Sequence, residues 1–238
     1  MIPVALLVLV VALDRLLASE RWPQLDPARA RWRRAAPRAR AYVRSAPGTY
    51  VYLFVLLITT WVLQTSSSGI AQQLLLERST NLHQLARDPV RVLFASAFWV
   101  ESVGELLVWA VLFTLVVAPV ERRLGTGRAA TVFVAGHVGA TLLTAAGLWA
   151  ALRVDAVESS VVNARDVGAS YGFVAVAAVL ALLLGSRRGL ALTAVLAAFV
   201  GVSFAIGPSF TDFGHVIALA IGLACYPLVR TSRAPSRG

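Results

Sequence analysis

Two stretches near the end of the chain decide its reading: Asp166-Val-Gly-Ala-Ser170-Tyr-Gly172 and Thr211-Asp-Phe-Gly214-His215. In each, a polar loop gives way to a long apolar run with a reactive side chain, Ser170 or His215, near its start. From either group to the end of its run, at Gly185 or Arg230, is about fifteen residues, or about 22 Å of helix. If the two runs are helices pointing the same way through a membrane, a hydroxyl and an imidazole share one depth, as a nucleophile and its base require.

The rest of the chain supports a membrane setting. Its 238 residues are 58% hydrophobic and 14% charged, with a mean hydropathy of +0.74, too apolar for a domain with a polar exterior. Several runs reach the roughly 20 residues that cross a hydrocarbon core of about 30 Å. They are continuous, without the period-2 alternation of a β-barrel. The fold expected is all-α, a polytopic bundle with a six-helix core rather than separate soluble domains.

The net charge is +10, and all 22 basic residues are arginine. They cluster beside the apolar runs, so they read as topology signals rather than as a nucleic-acid surface, and no nucleic-acid partner is expected. Cys225 is the one cysteine, so no disulfide forms within the chain.

In chain order, residues 1–47 hold an apolar segment interrupted by Asp14-Arg15, then an Arg-rich stretch from Arg21 to Arg44. The apolar segment reads as a marginal extra helix, with an interfacial segment or a misplaced start codon as rivals; it lacks the features of a signal peptide. The Arg-rich stretch is expected on an anionic cytoplasmic lipid surface. The membrane domain covers 48–230, with spans near 48–65, 98–118, 129–150, 168–185, 190–206 and 213–229, and a short basic tail covers 231–238. Between the first two spans, leucines alternating with Gln72, Gln73, Glu77, Arg78 and Arg87 predict short amphipathic helices on the membrane surface. With alternating spans, most arginines fall on one side. The positive-inside rule then puts both ends of the core in the cytoplasm of a multi-pass protein, expected in a bacterial cell membrane.

Gly168-Ala-Ser170-Tyr-Gly172 matches G-x-S-x-G, but an α/β-hydrolase elbow needs a preceding strand, and this serine opens a membrane span from a loop. Alone, the motif would read as small-residue helix packing. His215 changes that weight, because an ionisable group inside a span marks function by default, with a histidine bonded to a neighbouring helix as the alternative. His137 reads as a packing or hydrogen-bonding histidine, and His83 as a solvated loop residue. No metal-ligand pattern is present, and no metal or cofactor is expected.

Four motifs taken together resemble the rhomboid intramembrane serine proteases. Arg91-Val-Leu-Phe-Ala-Ser-Ala-Phe98 is similar to the family's Trp-Arg motif, with Val90 in place of Trp. Val120-Glu121-Arg-Arg-Leu-Gly125 is similar to its Glu-x-x-x-Gly signature, Gly168-Ala-Ser170 to its nucleophile motif, and His215 to Gly222 to its sixth-helix motif. The resemblance implies a Ser170 nucleophile, a His215 general base and acid, and transmembrane protein substrates cleaved near the outer leaflet.

It also implies an oxyanion region at Gly168, Glu105 and Trp109. The latter two stand where the family has a histidine and an asparagine, and Tyr171 and Ala218 replace glycines. The alternative is an inactive rhomboid-like protein that binds membrane clients or acts as a scaffold. On the active reading, Ser170 and His215 should be hydrogen-bonded, roughly 2.6–3.2 Å apart. Glu105 should be buried in the bundle, acting either as a neutral donor or as a lost one.

Overall fold

The computed structural model describes residues 11, 12, 15, 26–206 and 209–228. Most of the N-terminal apolar segment and the whole basic tail therefore lie outside the described residues. Among those described, the chain is helical. Helix α1 (Asp26–Arg44) covers the described part of the Arg-rich stretch, with Asp26 in its first turn and Arg44 in its last, each opposing the nearby end of the helix dipole. Helix α2 (Pro47–Thr65) opens on a proline whose missing N–H costs nothing in a first turn.

The surface segment predicted after it forms α3 (Ser68–Arg78), α4 (Leu82–Arg87) and α5 (Pro89–Ala95), closed by a 3-10 turn at Ser96–Phe98. Asn81 and Asp88 cap the second and third of these by accepting from the backbone of Gln84 and Arg91.

Helix α6 (Val103–Leu124) is the second span. It starts later and ends later than the expected 98–118. Phe98, Trp99 and Val100 look like the start of a span, but Val100 is instead buried in the loop, and Ser102 caps the helix by accepting from the Glu105 N–H at 3.1 Å. A π turn at Phe113–Val117 sits just before Pro119, which has no N–H to return to Leu115.

Helices α7 (Thr126–Arg153), α8 (Ser170–Leu184), α9 (Ser186–Ile206) and α10 (Phe210–Ala224) follow. Five helices, α2, α6, α7, α9 and α10 with its extension to Leu228, are long and apolar enough to cross a membrane. Helix α8, with 15 residues, completes the six.

Helix α8 is the axis of the bundle. Every residue from Tyr171 to Ala181 is buried, as an apolar helix without a polar face requires. It packs against α7, α9 and α10, and α10 packs against α7 in turn. Backbones come close there because Gly222 lies on the Ala175 carbonyl and Gly136 on the Ala175 methyl, where a side chain would collide. At about 22 Å, α8 is shorter than a hydrocarbon core of about 30 Å.

At the opposite end, the buried Glu121 ties two helix junctions together. Its carboxylate accepts from the backbone N–H groups of Gly48 and Thr49, both at 2.7 Å, and from the hydroxyls of Thr49 at 2.6 Å and Thr126 at 2.7 Å. Gly125 then turns the chain from α6 into α7 at φ 84°, a conformation that penalises any side chain. The Glu-x-x-x-Gly spacing thus has a local cause: the acid anchors α2 and the glycine makes the corner.

Candidate active site

The loop leading into α8 is fixed before the candidate nucleophile is reached. Asp166 donates its N–H to the Ser79 hydroxyl at 2.7 Å, and its carbonyl accepts the Thr80 N–H at 2.9 Å. Its carboxylate accepts the Thr80 hydroxyl at 2.8 Å and the Tyr171 hydroxyl at 3.4 Å. Burial pushes the Asp166 carboxyl above the usual range, with the Thr80 and Tyr171 bonds opposing it. Two residues on, Gly168 adopts φ 123° and donates its N–H to the Ser96 carbonyl at 2.9 Å. Ser170 is then the first residue of α8, half-buried, and no side chain caps the helix start.

His215 lies in the second turn of α10. Ser209 and Asp212 form a reciprocal cap at the start of that helix. The Asp212 carboxylate accepts from the Ser209 N–H and hydroxyl at 2.8 and 2.7 Å, and also from the Ser203 hydroxyl. Asp212 is thus occupied with the helix cap and with α9, and it does not orient the imidazole. The ring is 8% exposed, and neither Nδ1 nor Nε2 has a hydrogen-bond partner. Its neighbours are the Tyr171 ring at 5.3 Å and the Phe199 ring at 5.8 Å, both edge-on.

The expected Ser170–His215 hydrogen bond is therefore not made. Successive helical residues point about 100° apart, and Tyr171 rather than Ser170 fills the space against His215 and Gly214. The sequence identified Tyr171 only as a departure from glycine; nothing in it marks the ring as the imidazole's neighbour.

Glu105 also differs from expectation. It is half-buried in the first turn of α6, where free N–H groups and the helix dipole favour a carboxylate. Its oxygens accept the Glu101 N–H at 2.9 Å and the Trp109 indole N–H at 3.1 Å. It is an acceptor on a helix end, not a donor inside the bundle. Trp109 keeps a donor at this position, directed to Glu105, and its ring packs on Phe113 and on Phe173 of α8, at 5.8 and 5.4 Å.

His137 behaves as read from the sequence. Its Nε2 lies 3.0 Å from the Leu93 carbonyl and 3.1 Å from the Ser96 hydroxyl. A carbonyl can only accept, so Nε2 carries the proton, and this nitrogen cannot act as a base towards Ser96. The pair resembles a dyad in composition but not in chemistry.

A family model described as rhomboid-like protein matches residues 41–235, from the end of α1 across all six membrane helices. The chain belongs to the rhomboid-like family. No curated protein and no solved structure gives a significant match. The long apolar helices and this membership make the rhomboid-like chain an integral membrane protein.

Proposed function

We propose that this rhomboid-like protein is an intramembrane serine protease acting on transmembrane protein substrates through Ser170 and His215. The observation that carries the reading is the buried, unpartnered imidazole. A histidine kept for packing is normally bonded to a neighbouring helix, and leaving a buried polar group unpaired costs about 1–3 kcal/mol. His215 makes no such bond, and it lies against the residue that follows Ser170.

In the reaction, substrate binding closes the Ser170–His215 contact, as catalytic hydrogen bonds that are loose without substrate commonly do. The Ser170 oxygen attacks the scissile carbonyl while His215 takes its proton. The uncapped start of α8, with Gly168 before it, offers backbone N–H groups to the developing oxyanion. Collapse of the tetrahedral intermediate breaks the C–N bond, the leaving amine takes the proton from His215, and water entering from the loop side hydrolyses the acyl-enzyme.

A second reading is a client-binding protein without proteolysis, favoured by the Tyr171 ring standing where a hydroxyl would be needed. Labelling of the purified protein by a fluorophosphonate separates the two. The protease reading expects labelling that Ser170→Ala removes; absence of labelling in folded wild-type protein would favour the client binder.

A further inference from the structure

Tyr171 joins the candidate site to the surface segment. The residue is 2% exposed, and its ring has both buried imidazoles as neighbours, His215 at 5.3 Å and His137 at 6.4 Å between ring centres. A Cβ on Gly214 would overlap the tyrosine ring and hydroxyl. The ring therefore rests on the backbone of α10 one residue before His215, as well as beside the imidazole itself.

The far end of the side chain is tied to a loop. The Tyr171 hydroxyl donates to Asp166 Oδ2 at 3.4 Å, and the same oxygen accepts the Thr80 hydroxyl at 2.8 Å. Asp166 also donates its N–H to the Ser79 hydroxyl and accepts the Thr80 N–H, so the loop is fastened to the surface segment with or without the tyrosine. A hydroxyl bond of 2.8 Å is ordinary, whereas one of 3.4 Å is long and weak. The carboxylate thus grips the surface segment firmly and the tyrosine loosely.

This arrangement bears on Ser170 and His215. Their hydrogen bond is not made, and the side chain lying against His215 belongs to the residue next to Ser170. Any approach of His215 to Ser170 moves the imidazole relative to the ring packed beside it, in an interior that leaves few voids. The bond to Asp166 opposes that movement, and it is weak enough to be given up.

We propose that Tyr171 is a positioning residue that restrains His215: tethered to Asp166, its ring holds the imidazole back from Ser170, and release of the tether lets the two meet. The meaning for catalysis rests on the protease reading, whereas the restraint itself does not. Tyr171→Phe removes the tether and keeps the ring, and Gly214→Ala drives the ring from its seat by overlap. In the full chain in detergent micelles, diethyl pyrocarbonate modification of each histidine would be followed by mass spectrometry, alongside fluorophosphonate labelling of Ser170. Both variants should raise modification of His215 by about two- to tenfold relative to His137, the range for one hydrogen bond. Tyr171→Phe should raise labelling in proportion. A purely structural tyrosine would instead loosen the bundle and expose both buried histidines alike. That result overturns the proposal, as does an unchanged His215 in Tyr171→Phe, or labelling that falls while His215 becomes more reactive. A selective rise at His215 with no labelling of wild type or variants sinks the protease reading and leaves the restraint standing.

Discussion

The two buried histidines of the bundle have nearly equal exposure, 5% for His137 and 8% for His215, and opposite surroundings. His137 spends its protonated nitrogen on a carbonyl and a hydroxyl from the surface segment, so it fastens that segment to α7. His215 makes no hydrogen bond, and the rings of Tyr171 and Phe199 lie beside it. Burial alone does not distinguish a structural imidazole from one available for proton transfer. Whether the ring makes any hydrogen bond does: His137 is bonded through Nε2 although its Nδ1 is unpaired, and His215 is bonded through neither nitrogen. Removing His137 should therefore damage the fold, and removing His215 should damage only function.

The largest effect expected is on chemistry. Ser170→Ala and His215→Ala should each lower the rate of fluorophosphonate labelling by at least about 10³-fold, since nucleophile and base act as a unit. His137→Ala, in the fraction that remains folded, should stay within about tenfold of wild type, because His137 Nε2 cannot accept a proton from Ser96. Gel-based labelling at matched folded concentration reads both. Equal losses at the two histidines would erase the distinction.

Stability should show the reverse order. His137→Phe leaves the buried Ser96 hydroxyl and Leu93 carbonyl without their partner, a loss of about 1–3 kcal/mol. His215→Phe removes two unsatisfied nitrogens while keeping a ring against Tyr171 and Phe199, so it should be neutral or stabilising. Equilibrium unfolding in detergent micelles would measure both, and a His215→Phe loss as large as that of His137→Phe would show that the imidazole has a structural partner after all.

How much of this was legible beforehand follows from the kind of information each feature needs. Continuous apolar runs flanked by arginine reveal membrane helices directly, and the four rhomboid-like motifs lie within the matched family region. The sequence places the start of α6 too early because Phe98, Trp99 and Val100 are apolar for a different reason: they precede the helix, and Val100 is fully buried in the bundle. Sequence alone leads one to expect Ser170 and His215 at one depth, but it does not say whether they face one another. Depth advances about 1.5 Å per residue, whereas direction turns about 100°, so Tyr171 rather than Ser170 comes to lie against His215. The Thr80–Asp166 contact joins residues 86 apart, and no periodicity or spacing announces it.

A smaller effect is expected at that clamp, which holds the loop on the Ser170 side of the comparison. Burial raises the folded-state pKa of Asp166 above its unfolded value. Its contribution is therefore fully present below the unfolded carboxylate value and is lost as pH rises through the folded one. Asp166→Asn keeps an acceptor for Thr80 and cannot ionise. Melting temperature against pH should fall over this window in wild type and lose that component in the variant. Parallel curves would mean that Asp166 titrates like a solvated carboxylate, and that the loop before Ser170 is held by its backbone bonds alone.

The smallest effect belongs to Glu105. A neutral donor there would make activity fall as the group ionises, and Glu105→Gln would rescue it at higher pH. Its position argues otherwise. Its oxygens accept from the Glu101 N–H and the Trp109 indole, so the group serves as an acceptor, at a helix end that favours negative charge. Glutamine can still accept through its amide oxygen, but it loses the charge. Glu105→Gln should therefore cost only about 0.3–1 kcal/mol of stability, the usual worth of a charge at an exposed helix terminus. The shape of the pH–labelling profile should not change. A profile that broadens towards high pH in Glu105→Gln would show that Glu105 approaches the reacting oxygen in its protonated form, making it, rather than the backbone at the start of α8, the main oxyanion donor.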